Sequence, residues 1–197
     1  SNGYYISETQ APYAYIRNSK DVYSFNFNVL PETQAKATFS HTFNNDRTTA
    51  KIHIYKVDKE TGKAVPQGDA SLSGAVYGLY AREVINHPDG ATGVMFNAGD
   101  LVATLTTDEK GEAEVNNLYL GKYYVKEITP SEGYLLDEEE HDVVCDYEGD
   151  LVAEVSRSTT SAEQVIKQPF QLIKVSDNGD DTEAGLLAGA EFTAYLK

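Results

Sequence analysis

The 197-residue chain has a single cysteine, Cys145, so it cannot close a disulfide on itself or assemble a thiolate metal cluster. Any covalent reinforcement must use other side chains. Basic residues are scarce: 16 Lys and Arg stand against 31 Asp and Glu, a formal net charge of -15. Phosphate backbones and anionic lipid surfaces are bound through clustered Lys and Arg, so this balance argues against nucleic acid and charged membranes as partners. No apolar run is long enough to span a bilayer, and no basic and apolar leader is seen. The chain opens at Ser1 rather than Met and stops within a strand-like run. It is therefore expected to be an internal segment of a longer protein, and missing targeting signals say little about its location. Also lacking are a long helical periodicity, a Ser, His and Asp grouping, a phosphate loop and a Gly-rich nucleotide motif. A turnover enzyme and a bound cofactor are accordingly not expected.

What is present is strand signal. Tyr, Val, Ile, Thr and Phe recur in short alternating runs between turn clusters such as DKETGK, TTDEKGE, DYEGD and SDNGDD. Six runs fit strands: IHIYKV (52–57), AVYGLY (75–80), LVATLT (101–106), LYLGKYYVKE (118–127), HDVVCDY (141–147) and LVAEVS (151–156). Residues 81–100, rich in Gly, Asn and Asp, are expected to form an inserted loop or irregular hairpin.

The chain also repeats itself. Glu8 and Tyr15 recur as Glu127 and Tyr134, an offset of 119, and IYKVD around Lys56 recurs as IKVSD around Lys174, an offset of 118. LSGAVYGLY (72–80) has an echo in LAGAEFTAYL (187–196). These offsets predict an all-β array of tandem β-sandwich modules, immunoglobulin-like or prealbumin-like, one complete and two partial. The expected bounds are 1–50 for the C-terminal part of one copy, 51–167 for a complete copy and 168–197 for the N-terminal part of the next.

Four charges fall on apolar faces. Alternation in KYYVKE groups Tyr123, Val125 and Glu127, and in GYYISE groups Tyr4, Ile6 and Glu8. In IHIYK it groups Ile52, Ile54 and Lys56, and in FQLIK Phe170, Leu172 and Lys174. Two readings stay open. Lys56 and Glu127 lie near strand ends and could snorkel to water or form an ordinary ion pair worth little. Alternatively they are buried, where an isolated charge is costly, so the lysine pKa falls and the glutamate pKa rises until both are neutral. A neutral amine is a nucleophile and a protonated carboxyl a proton donor. Beside an Asn or Asp carbonyl on a third strand they could form an isopeptide bond, with ammonia released where the acceptor is Asn.

The runs KVDKETG, LSGAVYGLY and TTDEKGEAEVNNLYLGKYYVKEITPSEGY resemble the SpaA-type, or Cna B-type, prealbumin-like module of Gram-positive pili and surface adhesins. The resemblance covers essentially the whole chain. It implies an extracellular, wall-linked stalk whose modules carry an intramolecular bond between a first-strand Lys and a last-strand Asn, assisted by a Glu in the Y-x-V-x-E strand. Carried over by position, Lys56 is the amine and Glu127 the helper; Lys174 and Glu8 hold those roles in the neighbouring copies. Asn45, eleven residues before Lys56, is the acceptor of the first copy. Eleven residues before Lys174 stands Glu163, and no Asn occurs between Asn117 and Asn178. The complete module thus lacks the usual acceptor, leaving Asp146, Asp150 or no bond at all. Expected partners are neighbouring modules of the same chain, the cell wall through a region outside this segment and, in the alternative reading, a host protein or glycan bound by the module itself. Exposed aromatic residues on 81–100 would favour that alternative.

Lesser signals are read as structural. LPETQ (30–34) nearly spells a sortase sorting signal but is expected to be a loop. His41, His53, His87 and His141 show no metal-ligand spacing, and DEEEH (137–141) and DNGDD (177–181) are expected to be solvated turns. Cys145, alternating with Val143, is expected in the core, and the fourteen tyrosines are read as half-buried strand residues.

Overall fold

The computed structural model describes residues 3–26, 38–179, 182 and 187–195. The LPETQ run, and Asp180 and Asp181 of DNGDD, lie outside them. The chain forms two compact units, Ser1–Ile166 and Lys167–Lys197. Among the described residues there is no helix.

The first unit opens with a hairpin of β1 (Tyr4–Ser7) and β2 (Val22–Phe25). A two-layer body follows, because each strand is apolar on one face only and must bury that face against another sheet. One sheet runs in the order β10 (His141–Cys145), β9 (Gly121–Thr129), β4 (Val76–Ala81) and β7 (Leu101–Thr106). The other runs in the order β11 (Glu154–Glu163), β3 (Thr49–Asp58) and β8 (Glu112–Leu118). All pairings are antiparallel except β3 with β11, which lie parallel over ten residues. Residues 81–100 form the expected irregular hairpin, with β5 (Ile85–Asn86) against β6 (Val94–Phe96).

Period-two alternation fills the space between the sheets. β3 turns Ala50, Ile52 and Ile54 inward, β4 Tyr77 and Leu79, β9 Tyr123 and Val125, β10 Val143 and Cys145, and β11 Val155. Cys145 is fully buried, which pushes its thiol up to about 11.

Two strand bounds differ from the sequence reading. Glu112–Leu118, which the sequence reading left unassigned between the TTDEKGE turn and a strand begun at Leu118, is β8, and the chain breaks at Tyr119 and Leu120 before β9. The turn itself is short: the Asp108 carboxylate accepts from the Lys110 and Glu112 amides, both at 2.9 Å, and closes it. β11 continues past Ser156 to Glu163. Its sequence, EVSRSTTSAE, is polar on both faces, which hides a strand from a hydrophobicity pattern. The ten-rung parallel ladder to β3 holds it instead.

Gly111 fixes where β3 meets this turn. The Lys56 amide donates to the Gly111 carbonyl at 2.7 Å. Gly111 adopts φ 77°, and a Cβ there would stand 2.7 Å from the Lys56 carbonyl oxygen. Glycine meets both demands, having no side chain and free access to positive φ.

Candidate functional site

Three strands converge on one buried amine. Lys56 continues the inward face of β3, Glu127 that of β9 and Glu163 that of β11, and the three side chains are inaccessible to solvent. The Lys56 Nζ lies 3.7 Å from Glu127 Oε1 and directly touches Glu163 Oε2. Beyond one another, Lys56 Nζ and these two carboxyl oxygens have no hydrogen-bond partner. Burial on these terms is costly unless the groups are neutralised or react.

The remaining oxygens are held. Glu127 Oε2 accepts from the Asp137 amide at 2.8 Å. Glu163 Oε1 accepts from the Tyr77 hydroxyl at 2.5 Å and lies 3.3 Å from Ser161 Oγ. Tyr77 sits opposite Glu127 in the β4–β9 pair and reaches across the sandwich, so both sheets contribute. The Tyr134 ring lies 4.6 Å from Lys56 Nζ, and its hydroxyl donates to Asp58 Oδ2 at 3.2 Å. A ring face near the amine is one of the few apolar surfaces that tolerates its charge.

Protonation follows from this setting. Burial lowers Lys56 to about 8, with the nearby Glu127 opposing the shift. Burial raises Glu127 above the ordinary carboxyl range, against the Asp137 amide and the Lys56 charge. Asp137 itself stays below its usual range: burial works against ionisation, but hydrogen bonds from His141, the Glu139 amide and Ser161 outweigh it. A partly neutral amine beside two carboxyls, one held by two hydroxyls, is arranged for attack of nitrogen on a carboxyl carbon.

The sequence reading identified Lys56 and Glu127 but not their partner. Asp150 lies elsewhere, accepting from the Ala11 amide at 3.1 Å and pairing with Arg17, and Asp146 is exposed. The carboxyl that lies against Lys56 is Glu163. Its spacing from Lys174, matching that of Asn45 from Lys56, was the available signal. Tyr77, Ser161 and Asp137 carry no local mark of their part in the site.

Glu8 and Asn45 also meet. The Asn45 Nδ2 donates to Glu8 Oε2 at 2.7 Å, and the Asn18 amide donates to the same oxygen at 3.1 Å. The surrounding backbone matches the larger site contact for contact. Tyr15 bridges Arg47 as Tyr134 bridges Val165. Ile16 N donates to Asp46 O as Leu135 N does to Gln164 O, and Thr48 N to Ala14 O as Ile166 N to Gly133 O. Even the positive φ recurs, 63° at Ala14 and 79° at Gly133. In the second unit Lys174 is exposed, and its amine donates to the Val175 carbonyl at 3.0 Å.

Other groups are accounted for locally. Asp137, Glu139 and His141 bring ligand atoms within 4.8 Å of one another, and His141 Nε2 is bound to Asp137 Oδ2 at 2.8 Å. On the 81–100 hairpin the sole Phe, Tyr or Trp is Phe96, which packs against the core. Arg47 ties the first residues to the body, donating to the Leu118 and Asn117 carbonyls at 2.8 Å and lying 4.3 Å over the Tyr119 ring.

The family model for the SpaA prealbumin-like fold domain matches residues 50–159. Among solved structures the chain is similar to the Bacillus anthracis TIE protein, with a TM-score of 0.56, 24% identity, and coverage of 84% of this chain and 25% of that one. It is also similar to the group B streptococcus pilus 2b backbone protein (TM-score 0.42, 22% identity, 62% and 43% covered) and to the Streptococcus agalactiae minor pilin GBS52 (TM-score 0.39, 23% identity, 64% and 49% covered). The chain thus spans between a quarter and a half of the length of these proteins. No curated protein sequence matches it.

Proposed function

The chain belongs to the family of SpaA prealbumin-like fold domains, and from that premise we propose that it is a stalk segment of a Gram-positive surface pilin or adhesin, locked by an amide bond between Lys56 and Glu163. The observation that carries this reading is the buried contact of the Lys56 amine with the Glu163 carboxyl, with Glu127 on its other side. Lys56 Nζ attacks Glu163 Cδ, the new N–C bond forms, and one carboxyl oxygen leaves as water with the two protons the ammonium gives up. Glu127 is the base and then the acid in this exchange. Condensation removes two ionised groups from an interior where each costs several kcal/mol, which favours an amide that open water would not.

The topology suits a load-bearing part. β3 and β11 are parallel neighbours, so tension entering ahead of β3 and leaving after β11 shears ten residues of ladder at once. An amide between Lys56 and Glu163 carries that load covalently and takes the intervening residues out of the force path. The repeated contacts around Glu8 and Asn45 support a tandem array, with residues 1–50 and 168–197 as parts of neighbouring copies. An extracellular, wall-linked location follows from the same reading, and single-turnover self-crosslinking is its only chemistry.

Intact mass tests it. The native chain is expected one water lighter than its sequence, and Lys56→Ala and Glu127→Ala at full mass. Glu163→Gln is expected to lose ammonia instead and so to arrive at the native product mass, because both acceptors give the same amide. A native chain at its full sequence mass refutes the bond.

A further inference from the structure

We propose that Ser161, Asp137 and His141 form a proton relay that converts Glu163 to the neutral acid before Lys56 attacks, because an ionised carboxyl resists a nucleophile more than the amide that Asn45 presents beside Glu8. The inference rests on the crosslink reading above. Its geometry is continuous: His141 Nε2 lies 2.8 Å from Asp137 Oδ2, the same oxygen lies 2.8 Å from Ser161 Oγ, and Ser161 Oγ lies 3.3 Å from Glu163 Oε1. Ser161 is 1% exposed, whereas the Asp137 and His141 side chains retain 15% of their accessible surface. One end of the chain of bonds therefore meets water, and the other ends on the reacting carboxyl.

The proton count shows what the relay adds: without it the exchange balances but must expel oxygen from a carboxylate and leaves Glu127 ionised. Take Lys56 as ammonium, Glu127 and Glu163 as carboxylates, and one proton entering from solvent at the His141 ring. The relay passes this proton from His141 through Asp137 and Ser161 to Glu163 Oε1. Lys56 gives one proton to Glu127, attacks Cδ, and Glu127 returns that proton to the departing hydroxyl, which leaves as water. Glu127 then takes the second amine proton. The products are the amide, water and a neutral Glu127, with one proton taken up from solvent. Ending with Glu127 protonated agrees with a site whose burial favours its neutral form. A carboxamide acceptor reaches the same end state with no proton from outside, because ammonia leaves with those already present.

The chain holds its own control. At the offsets that align Glu8 with Glu127 and Asn45 with Glu163, Asn18 stands for Asp137 and Phe43 for Ser161. Neither can pass a proton. The backbone bond survives, with the Asn18 amide on Glu8 as the Asp137 amide is on Glu127, so only the side-chain relay is absent beside the amide acceptor. The charged and titratable groups facing the relay are Lys56 from β3, Tyr77 from β4, Glu127 from β9, Glu163 from β11 and Glu139 beside His141.

The test follows the full 197-residue chain after cell-free synthesis, sampled over time by intact mass and mobility on a denaturing gel. Ser161→Ala and Asp137→Asn are expected to reach the crosslinked mass at least about 100-fold more slowly than the native chain, the lower end of what positioned proton transfer contributes. Ser161→Thr, which keeps the hydroxyl, is expected near the native rate. Ser161→Ala combined with Glu163→Gln is expected to match Glu163→Gln alone, which also shows that the serine change leaves the fold able to react. Native rates in both single variants, or an equal delay from Ser161→Ala whether position 163 carries an acid or an amide, overturn the relay. A native chain that never loses water overturns the crosslink itself, and the relay with it.

Discussion

Replacing Glu127 with Gln separates the covalent tie from everything else in the core. Burial shifts the Glu127 carboxyl toward its neutral form, and an amide of the same shape keeps the packing. The Lys56 and Glu163 contact remains in place. What Gln cannot do is accept and return a proton, so the variant stays uncrosslinked. The proposed amide would close a loop on the order of 100 residues between Lys56 and Glu163, and the chain-entropy model gives about 4.7 kcal/mol for such a loop. At roughly 2–4 °C per kcal/mol for a unit of this size, the melting temperature of Glu127→Gln is expected about 10–20 °C below native. Scanning calorimetry with parallel intact mass measures both quantities. In a pulling experiment the same variant releases roughly 370 Å of chain between the two positions at extended length per residue, which the native unit withholds. A variant that regains the mass of water yet melts at the native temperature, or a native unit that releases the full length, refutes the reasoning.

Removing the acceptor exposes the lysine. In Glu163→Met only Glu127 faces Lys56, whose pKa is lowered to about 8 from 10.5. The unfolded lysine binds its proton up to the higher value and the folded one only to the lower. Stability in urea is therefore expected to rise between pH 8 and 10, by at most about 1.4 kcal/mol per pH unit; a flat profile contradicts a buried amine. Gly111→Ala puts a side chain at φ 77° and 2.7 Å from the Lys56 carbonyl, and a loss of about 2 kcal/mol or more is expected by urea titration. Arg47→Ala removes the hydrogen bonds to Asn117 and Leu118, so faster hydrogen exchange at the Thr48 amide is expected. Arg47→Lys, lacking the planar fork, is not expected to restore protection.

The inward placement of Lys56 and Glu127 was legible because alternation along IHIYK and KYYVKE leaves no other face for them once the apolar neighbours are buried. Their chemistry was legible as a possibility of burial. Glu163 stood at the spacing of Asn45 but was set aside because the pattern calls for an Asn there, and the polar run after Ser156 gave no sign that the strand continues to it. Asp150, a candidate on sequence grounds, is occupied by the Ala11 amide and Arg17. Tyr77 looked like an ordinary core tyrosine. Its hydroxyl gains a role only because β4 faces β11 across the sandwich.

The sequence alone determined what depends on neighbours along the chain: the strand faces, the all-β class, the repeated phrases and the absence of disulfide reinforcement. Only the tertiary structure decided which carboxyl meets the amine. Lys56, Glu127 and Glu163 come from three strands, and no local pattern records the distance between side chains so far apart in sequence. The parallel pairing of β3 with β11 and the stacking of the two sheets set that distance. By excluding water from the same place, they turn three ordinary charges into groups that can react.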